Sequence, residues 1–423
     1  MQSNYRRLGD YIRLVDERNR NLEVTNLVGL TINKNFIPSV ANIVDTDMST
    51  YKIIRKNQFA CSVMQVRRDK KMPVALWRDE KPAIISQAYP IFEIVDEQVV
   101  SPDYLIMWFT RSEFDREACF LAVGGVRGSL EWEDFLNMKF PLPSLEQQKE
   151  IVAEYEAVEQ RIQLNKKLCE KLEETAQTIY RNWFEDFEFP VDSHCEERGM
   201  SDEAILSLGY KSSGGEMVEC EELGKEIPKG WRIDSLTGIA NYKNGLAMQN
   251  FEPQNREESL PVLKIRELGM GITDNNSDRC SYEIPEDVKV YNEDVIFSWS
   301  GTLKIDFWIG GFAGLNQHLF KVTSKKFPKW FYFLWTKSHL DSFIKIADGN
   351  KTSLGHIKRE HLDNAIVLIP TSEQLKYMTE TMEVFFSKLI NIRFQTQKLE
   401  ELKSLLLGKI AVEKLTIKTK RYV

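Results

Sequence analysis

Apolar and small residues recur in alternating steps of four and three along one stretch of the chain: Ile151, Tyr155, Val158, Ile162, then Cys169, Leu172, Ala176, Ile179 and Trp183. Asn165 is the one polar break in this seam, and a lone polar residue in such a place specifies register. Pro143 is followed by Ser144-Leu-Glu-Gln147, an S-x-x-Q capping box, and no Gly or Pro interrupts before Pro190. The pattern predicts a helix over Pro143–Glu185, about 60 Å long at 1.5 Å per residue. A seam of that length needs a partner helix.

The partner lies in the same chain. PSLEQQK at Pro143–Lys149 returns as PTSEQLK at Pro370–Lys376, and KLEE at Lys171–Glu174 returns at Lys398–Glu401, both 227 residues later. Carried forward by 227, the seam becomes Met378, Met382, Phe385, Leu389, Ile392, Thr396, Leu399, Lys403, Leu406 and Ile410. Lys403 is its exception. A gapless repeat marks a duplicated unit. Two duplicated seams predict an intramolecular, antiparallel helix pair with approximate two-fold symmetry.

Each helix follows a mixed block. In the first, Phe59–Val66, Pro73–Trp77 and Ala88–Val95 have strand composition, Tyr104–Asp115 reads as a helix after Pro102, and Gly124–Ser129 as a loop. A strand toward Leu142 feeds the long helix. In the second, strands are expected at Leu260–Ile265, Val295–Trp299, Leu319–Val322 and Ala365–Ile369, with a helix over Lys329–Ala347. The predicted organisation is a mixed domain at 1–142, a long helix at 143–190, an acidic linker at 191–226, a second mixed domain at 227–370, and a second long helix at 371–423. The fold class is α+β.

Composition adds little until it is localised. The chain has 423 residues and a formal net charge of −7. The linker alone carries 10 acidic against 3 basic residues, whereas Arg55–Lys81 has 8 basic against 3 acidic and Asn316–Arg359 has 9 against 2. A chain acidic overall but basic within both repeated blocks predicts contact with a polyanion at two places. Six scattered cysteines without a C-x-x-C, no run of 18 apolar residues and no leader sequence predict a soluble cytoplasmic protein with no membrane segment.

Catalytic constellations are not evident. There is no G-x-x-x-x-G-K-[ST], the five histidines lack H-E-x-x-H spacing, and the Asn-Pro-Pro-aromatic pattern of amino-methylating enzymes is missing. Gly310–Gly314 reads as a strand and turn, and Pro285–Lys289 as a loop in preference to a nuclease carboxylate–lysine set. His194, Cys195 and Cys220 read as unrelated loop residues in preference to a metal cluster. Recognition chemistry is better represented. In the first block the candidates are Gln65, Arg67, Arg68, Lys70 and Lys71, then Arg78, Lys81, Gln87 and Tyr89, with Arg127 and Ser129 in the glycine loop. In the second they are Lys304, Asn316, Gln317 and His318, then Lys351, Thr352, Ser353, His356, Lys358 and Arg359. Arg and Lys neutralise phosphates and read guanine, while Asn and Gln pair with adenine.

The doubled domain-and-helix order, with helices opening P-S-L-E-Q-Q and P-T-S-E-Q, resembles the specificity subunit of Type I restriction–modification systems. Ile227-Pro-Lys-Gly-Trp231, Asp294-Val-Ile-Phe-Ser-Trp-Ser-Gly301 and Gly314-Leu-Asn-Gln317 resemble that family's target recognition domains. The resemblance implies two domains, each reading one half of a split double-stranded DNA site, spaced by the helix pair. It implies two DNA methyltransferase subunits docked on that scaffold and, through them, restriction and translocation subunits. S-adenosylmethionine, ATP and magnesium then belong to the partners, with no cofactor, metal or catalytic residue in this chain. The alternatives are a stand-alone methyltransferase or nuclease with an unrecognised site, and a coiled-coil scaffold that binds no nucleic acid.

Overall fold

The computed structural model describes residues 4–39, 46–124, 128–190, 209–255, 258–349 and 355–410. The chain divides into two compact units, Met1–Gln163 with Lys398–Val423, and Leu164–Gln397. The division falls inside the long helices, not at their starts. Each unit holds a mixed domain together with a length of both helices.

The first unit opens with β1 (Tyr5–Arg7), which pairs antiparallel with β10 (Lys139–Pro141), the strand leading into the long helix. Between them lie β2 (Ile12–Val15), β3 (Val28–Leu30), β4 (Phe36–Pro38), β5 (Lys52–Ile54), β6 (Phe59–Cys61), β7 (Val74–Leu76), β8 (Ala83–Ile85) and β9 (Ile91–Ile94). The main sheet has the order β2-β9-β6-β7. β3 pairs with β4 and β5 with β8, and a parallel bridge from Leu27 to Ile84 joins the two pairs. Helices α1 (Val66–Asp69), α2 (Pro102–Phe109), α3 (Ser112–Leu121) and α4 (Trp132–Asn137) follow the chain order. The helix expected over Tyr104–Asp115 is therefore two. Thr110 turns its hydroxyl back to Met107 O (2.7 Å), and buried Arg111 is extended (ψ 144°), which ends α2.

The second unit repeats this plan. β11 (Met217–Cys220) and β12 (Lys225–Pro228) form a hairpin ahead of β13 (Arg232–Ser235), which pairs with β22 (Ile366–Ile369) as β1 pairs with β10. Next come β14 (Asn241–Asn244), β15 (Ser259–Leu263), β16 (Arg279–Ser281), β17 (Lys289–Val290), β18 (Val295–Ser298), β19 (Lys304–Phe307), β20 (Ala313–Leu315) and β21 (Leu319–Thr323). The sheet β14-β21-β18-β19 has the order of β2-β9-β6-β7, and β16-β15-β20-β17 has the order of β4-β3-β8-β5 with its parallel join at β15–β20. The match reaches single hydrogen bonds. Asn57 (φ 64°) donates to Trp77 O at 2.9 Å and Trp77 to Gln58 O at 2.8 Å; Glu293 (φ 69°) donates to Trp308 O at 2.7 Å and Trp308 to Asp294 O at 2.8 Å. The helices are α6 (Leu236–Ile239), α7 (Ile265–Met270), α8 (Lys329–Ser338), α9 (Leu340–Gly349) and α10 (Arg359–Asp363). The helix expected over Lys329–Ala347 breaks at His339, whose ring bonds to Ile366 O at 2.9 Å.

The linker expected at 191–226 is described only from Gly209 onward. Residues 191–208 lie outside the described residues, but Tyr210 stacks on Phe189, Phe189 on Trp231, and the β11–β12 hairpin is ordered against the second domain. Aromatic burial, invisible in the charge count, fixes this piece.

The long helices are α5 (Leu145–Phe184), of 40 residues, and α11 (Ser372–Lys409), of 38. Both begin with reciprocal caps. Ser144 and Gln147 exchange two bonds of 3.3 Å, and Thr371 and Gln374 two of 3.3 and 3.4 Å. Their contacts run antiparallel: Glu159 meets Lys403 in the first unit, while Asn165 meets Gln395 and Thr396, and Glu173 meets Arg393, in the second. On the expected seam Ile162, Met378, Met382, Leu389 and Ile392 are buried. Ile151, Tyr155, Val158, Leu172, Ile179, Phe385, Leu399 and Leu406 are half-buried. Phe386, next to Phe385, is the more deeply buried of the two. Each helix also packs on a domain, which widens its buried face beyond a two-position seam.

Candidate nucleic-acid interface

In both main sheets the same edge carries the recognition candidates. In the first unit, the chain leaves β6 at Cys61 and re-enters β7 at Val74, and Ser62 N donates to Pro73 O (2.9 Å) to close the neck of the intervening loop. Buried Val66 and Met72 anchor that loop inward. Arg67 N donates to Gly128 O (3.3 Å) and Met72 N to the Asp115 carboxylate (3.0 Å), which also holds Lys34 at 2.7 Å. Burial lowers the Lys34 pKa, against the pull of Asp115. Gln65 (φ 63°) and Lys70 (φ 52°) are left-handed without being glycine, so the packing around the one-turn α1 holds strained backbone. Arg67, Arg68, Lys70 and Lys71 all end exposed on one loop. A Cβ on Gly128 would stand 3.1 Å from that of Arg67, so the close approach of the two loops uses a glycine there.

Gln87 and Tyr89 reach the same edge, because Cys61 N donates to Pro90 O (3.1 Å). Ser129 joins it through its bridge to Val123 and the Leu130 N to Val63 O bond (2.9 Å). Arg78 and Lys81 do not. They follow the far end of β7, where Arg78 pairs with Asp103 and the Lys81 carbonyl accepts the Trp77 indole (3.0 Å). The basic window Arg55–Lys81 is therefore not one patch. Arg55 pairs with Glu17, Lys56 with Glu80 and Arg68 with Asp69, so much of its charge is locally matched. Arg127 lies outside the described residues.

In the second unit the matching edge is aromatic. Trp299, directly after β18, donates its indole N–H to Asn244 Oδ1 at 3.0 Å, at the end of β14. His318, Phe320 and His356 surround the Trp299 ring, with centroids 5.9, 5.9 and 6.2 Å away. Ser300 Oγ lies 3.0 Å from His318 Nδ1, and Ser300 bridges His356. Buried Asn316 accepts the His318 N–H at 3.2 Å, which shapes the turn that presents Gln317 and His318. Lys358 and Arg359 follow two residues beyond His356, exposed at the start of α10. Lys304 is drawn inward to Asp306 at 2.9 Å. Lys351, Thr352 and Ser353 lie outside the described residues. Trp299 and Asn244 were not among the expected residues. An exposed-end tryptophan between two serines after a strand is the signal that could have found them.

Among the described residues no group of three or more His, Cys, Asp or Glu is placed to hold a metal ion, and no helix is long and apolar enough to cross a membrane. His194 and Cys195 lie outside the described residues. Glu286 and Asp287 are taken by Lys289 and Lys243, so Pro285–Lys289 is a salt-bridged turn.

Residues 75–174 match the family described as the Type I restriction modification DNA specificity domain. The chain is 25% identical over 336 residues to the MjaIX specificity subunit of Methanocaldococcus jannaschii, covering 77% of this chain and 71% of that one. It is 19% identical over 452 residues to the HindI specificity subunit of Haemophilus influenzae, covering 95% and 97%. The fold is similar to the crystal structure of a Type I restriction–modification S subunit from M. genitalium, with a TM-score of 0.54, 14% identity, and 97% and 96% of the two chains covered.

Over residues 75–174 the chain matches the Type I DNA specificity domain, and over most of its length it is similar to Type I specificity subunits. The family match runs from within β7, through β8, β9, the helices α2–α4 and β10, into α5. It contains buried Gln148, which accepts Ser101 N at 2.8 Å and donates to Val99 O and Pro143 O at 2.9 Å, locking α5 to its domain.

Proposed function

We propose that this chain is the non-catalytic DNA-reading component of a Type I restriction–modification complex, and that each domain reads one half of a bipartite double-stranded site. The observation that carries the reading is the repeated sheet edge: one strand order, used twice, presents a basic loop in one unit and a tryptophan–histidine cluster in the other. Arg67, Arg68, Lys70 and Lys71 meet phosphates or guanine edges, and Asn316, Gln317, His318 and His356 meet bases around Trp299. The paired helices set the length of the unread spacer. DNA methyltransferase subunits, two per chain, use the helices as a scaffold and bring restriction subunits with them. S-adenosylmethionine, ATP and magnesium serve those partners, and the complex works in the cytoplasm.

The test is co-expression with the methyltransferase subunits of the same system, followed by sequencing of methylated bases. A two-part motif with an unspecified spacer is expected. Methylation by the purified chain alone, or none in its presence with the partners, overturns the reading.

A further inference from the structure

The second domain is tied to both long helices by a chain of charges. Arg393 on α11 sets one nitrogen 2.6 Å from Asp306 of β19 and another 2.7 Å from Glu173 of α5. Asp306 also takes Lys304 at 2.9 Å, and Glu173 takes Lys337 of α8 at 3.3 Å. The Arg393 and Asp306 side chains are 19% and 17% exposed, so this is a largely desolvated fork, in which geometry matters more than at the surface. Lys304 begins β19, five residues after Trp299, so the fork bears on the turn that carries the aromatic cluster.

The duplication supplies an internal control. The shared bonds at Trp77 and Trp308 match Asp306 with Ala75, and the 227-residue offset matches Phe333 and Leu334 of α8 with Ile106 and Met107 of α2. At that place the second unit is filled. Phe307, Phe333 and Phe386 pack tilted and edge-on with ring centroids 4.5–5.5 Å apart, and the remaining void is about 10 Å³. In the first unit the matched place is a cleft of about 310 Å³, lined by Ala75, Leu76, Ile106, Met107, Tyr155 and Glu159 among others. The second domain meets the helices through the Asp306 carboxylate where its twin has Ala75 beside an open cleft.

We infer that Arg393 is a positioning residue for recognition by the second domain, acting through Asp306 to fix the β18–β19 turn on the helices. The inference rests on the proposed reading of DNA by both domains. Arg393 touches no base. It removes freedom from the turn that does, and a looser turn accepts mismatched pairs that a fixed one rejects.

The test uses the assembled methyltransferase complex. Asp306→Ala with Arg393→Leu removes both charges and leaves Glu173 with Lys337. Discrimination against single-pair mismatches in the half-site read by the second domain should fall about tenfold, the scale of one lost contact. The other half-site and the melting temperature should hold. Arg393→Lys keeps the charge but not the fork and should fall between the two; it carries the test alone should the double variant not assemble. Unchanged discrimination in the assembled variants, or equal loss at both half-sites, overturns the inference. A wild-type complex without sequence-specific methylation instead overturns the underlying reading.

Discussion

Asn165 donates its side-chain amide to Thr396 Oγ1 across 3.2 Å, and Thr396 is the residue that the 227-residue repeat maps onto Cys169, one turn further along α5. The polar break in the seam therefore meets a polar position of the opposite seam. Asn165 is 1% exposed, and Thr396 already satisfies its hydroxyl on Ile392 O at 2.8 Å. Asn165→Leu should accordingly raise stability by about 1 kcal/mol while loosening register. The melting temperature should rise by a few degrees, and the methylated motif should show more than one spacer length. A lower melting temperature would mean that the amide holds the pair together, not merely in register.

Lys70 and Lys71 are exposed on a loop whose neighbour Arg68 is already matched by Asp69. Replacing both lysines by Ala should reduce the slope of log affinity against log salt by about 2, near 0.9 for each phosphate contact. Arg68→Ala alone should change it less. Titrations of DNA binding by the complex between low and moderate salt decide this, and an unaltered slope would move the phosphates elsewhere.

Asp306 gives a prediction in acid. Burial raises its pKa, but Arg393 and Lys304 outweigh burial and hold the carboxyl below its usual 3.8. A depressed carboxyl contributes stability above its unfolded pKa and loses it as pH falls through the folded value. Wild type should lose melting temperature more steeply below about pH 4 than Asp306→Asn does. Parallel acid limbs would show that the network contributes nothing net.

Gly245 sits where a Cβ would lie 2.2 Å from Asn316 O and 2.3 Å from Leu315 O. Backbone carbonyls cannot step aside as a side chain can. Gly245→Ala should cost about 2–3 kcal/mol and displace Asn244 from the Trp299 indole. Chemical denaturation measures the first effect, and loss of one half of the methylated motif the second.

On the proposed reading, exchange of Met1–Leu142 for the matching domain of a relative should change one half of the motif and leave the other half and the spacer alone. Changes in both halves at once would sink the modular reading, even if binding survived.

The helices were legible because their information is periodic and repeated: Pro143 and Pro370 open both caps, and the seams follow. The sheets were legible only in part. Strands of three residues, such as Phe59–Cys61, are too short for alternation to announce, and their order is set by long-range pairing. The basic window misled for a related reason. Arg67 and Arg78 are near in sequence, but β7 carries the chain across the sheet between them, and its end delivers Arg78 to Asp103. Arg393 was hidden because its meaning depends on Asp306, 87 residues away.

The pairing of β1 with β10, and of β13 with β22, brings the way in and the way out of each domain side by side. A length change in a loop between Arg7 and Lys139 is then contained within a closed ring of chain, provided that it spares Val99 and Ser101, which hold Gln148 of the helix that follows. Natural variation can rewrite what lies inside that ring quickly, by drift or by recombination, while the paired strands and the helix they lead into stay under the old constraint.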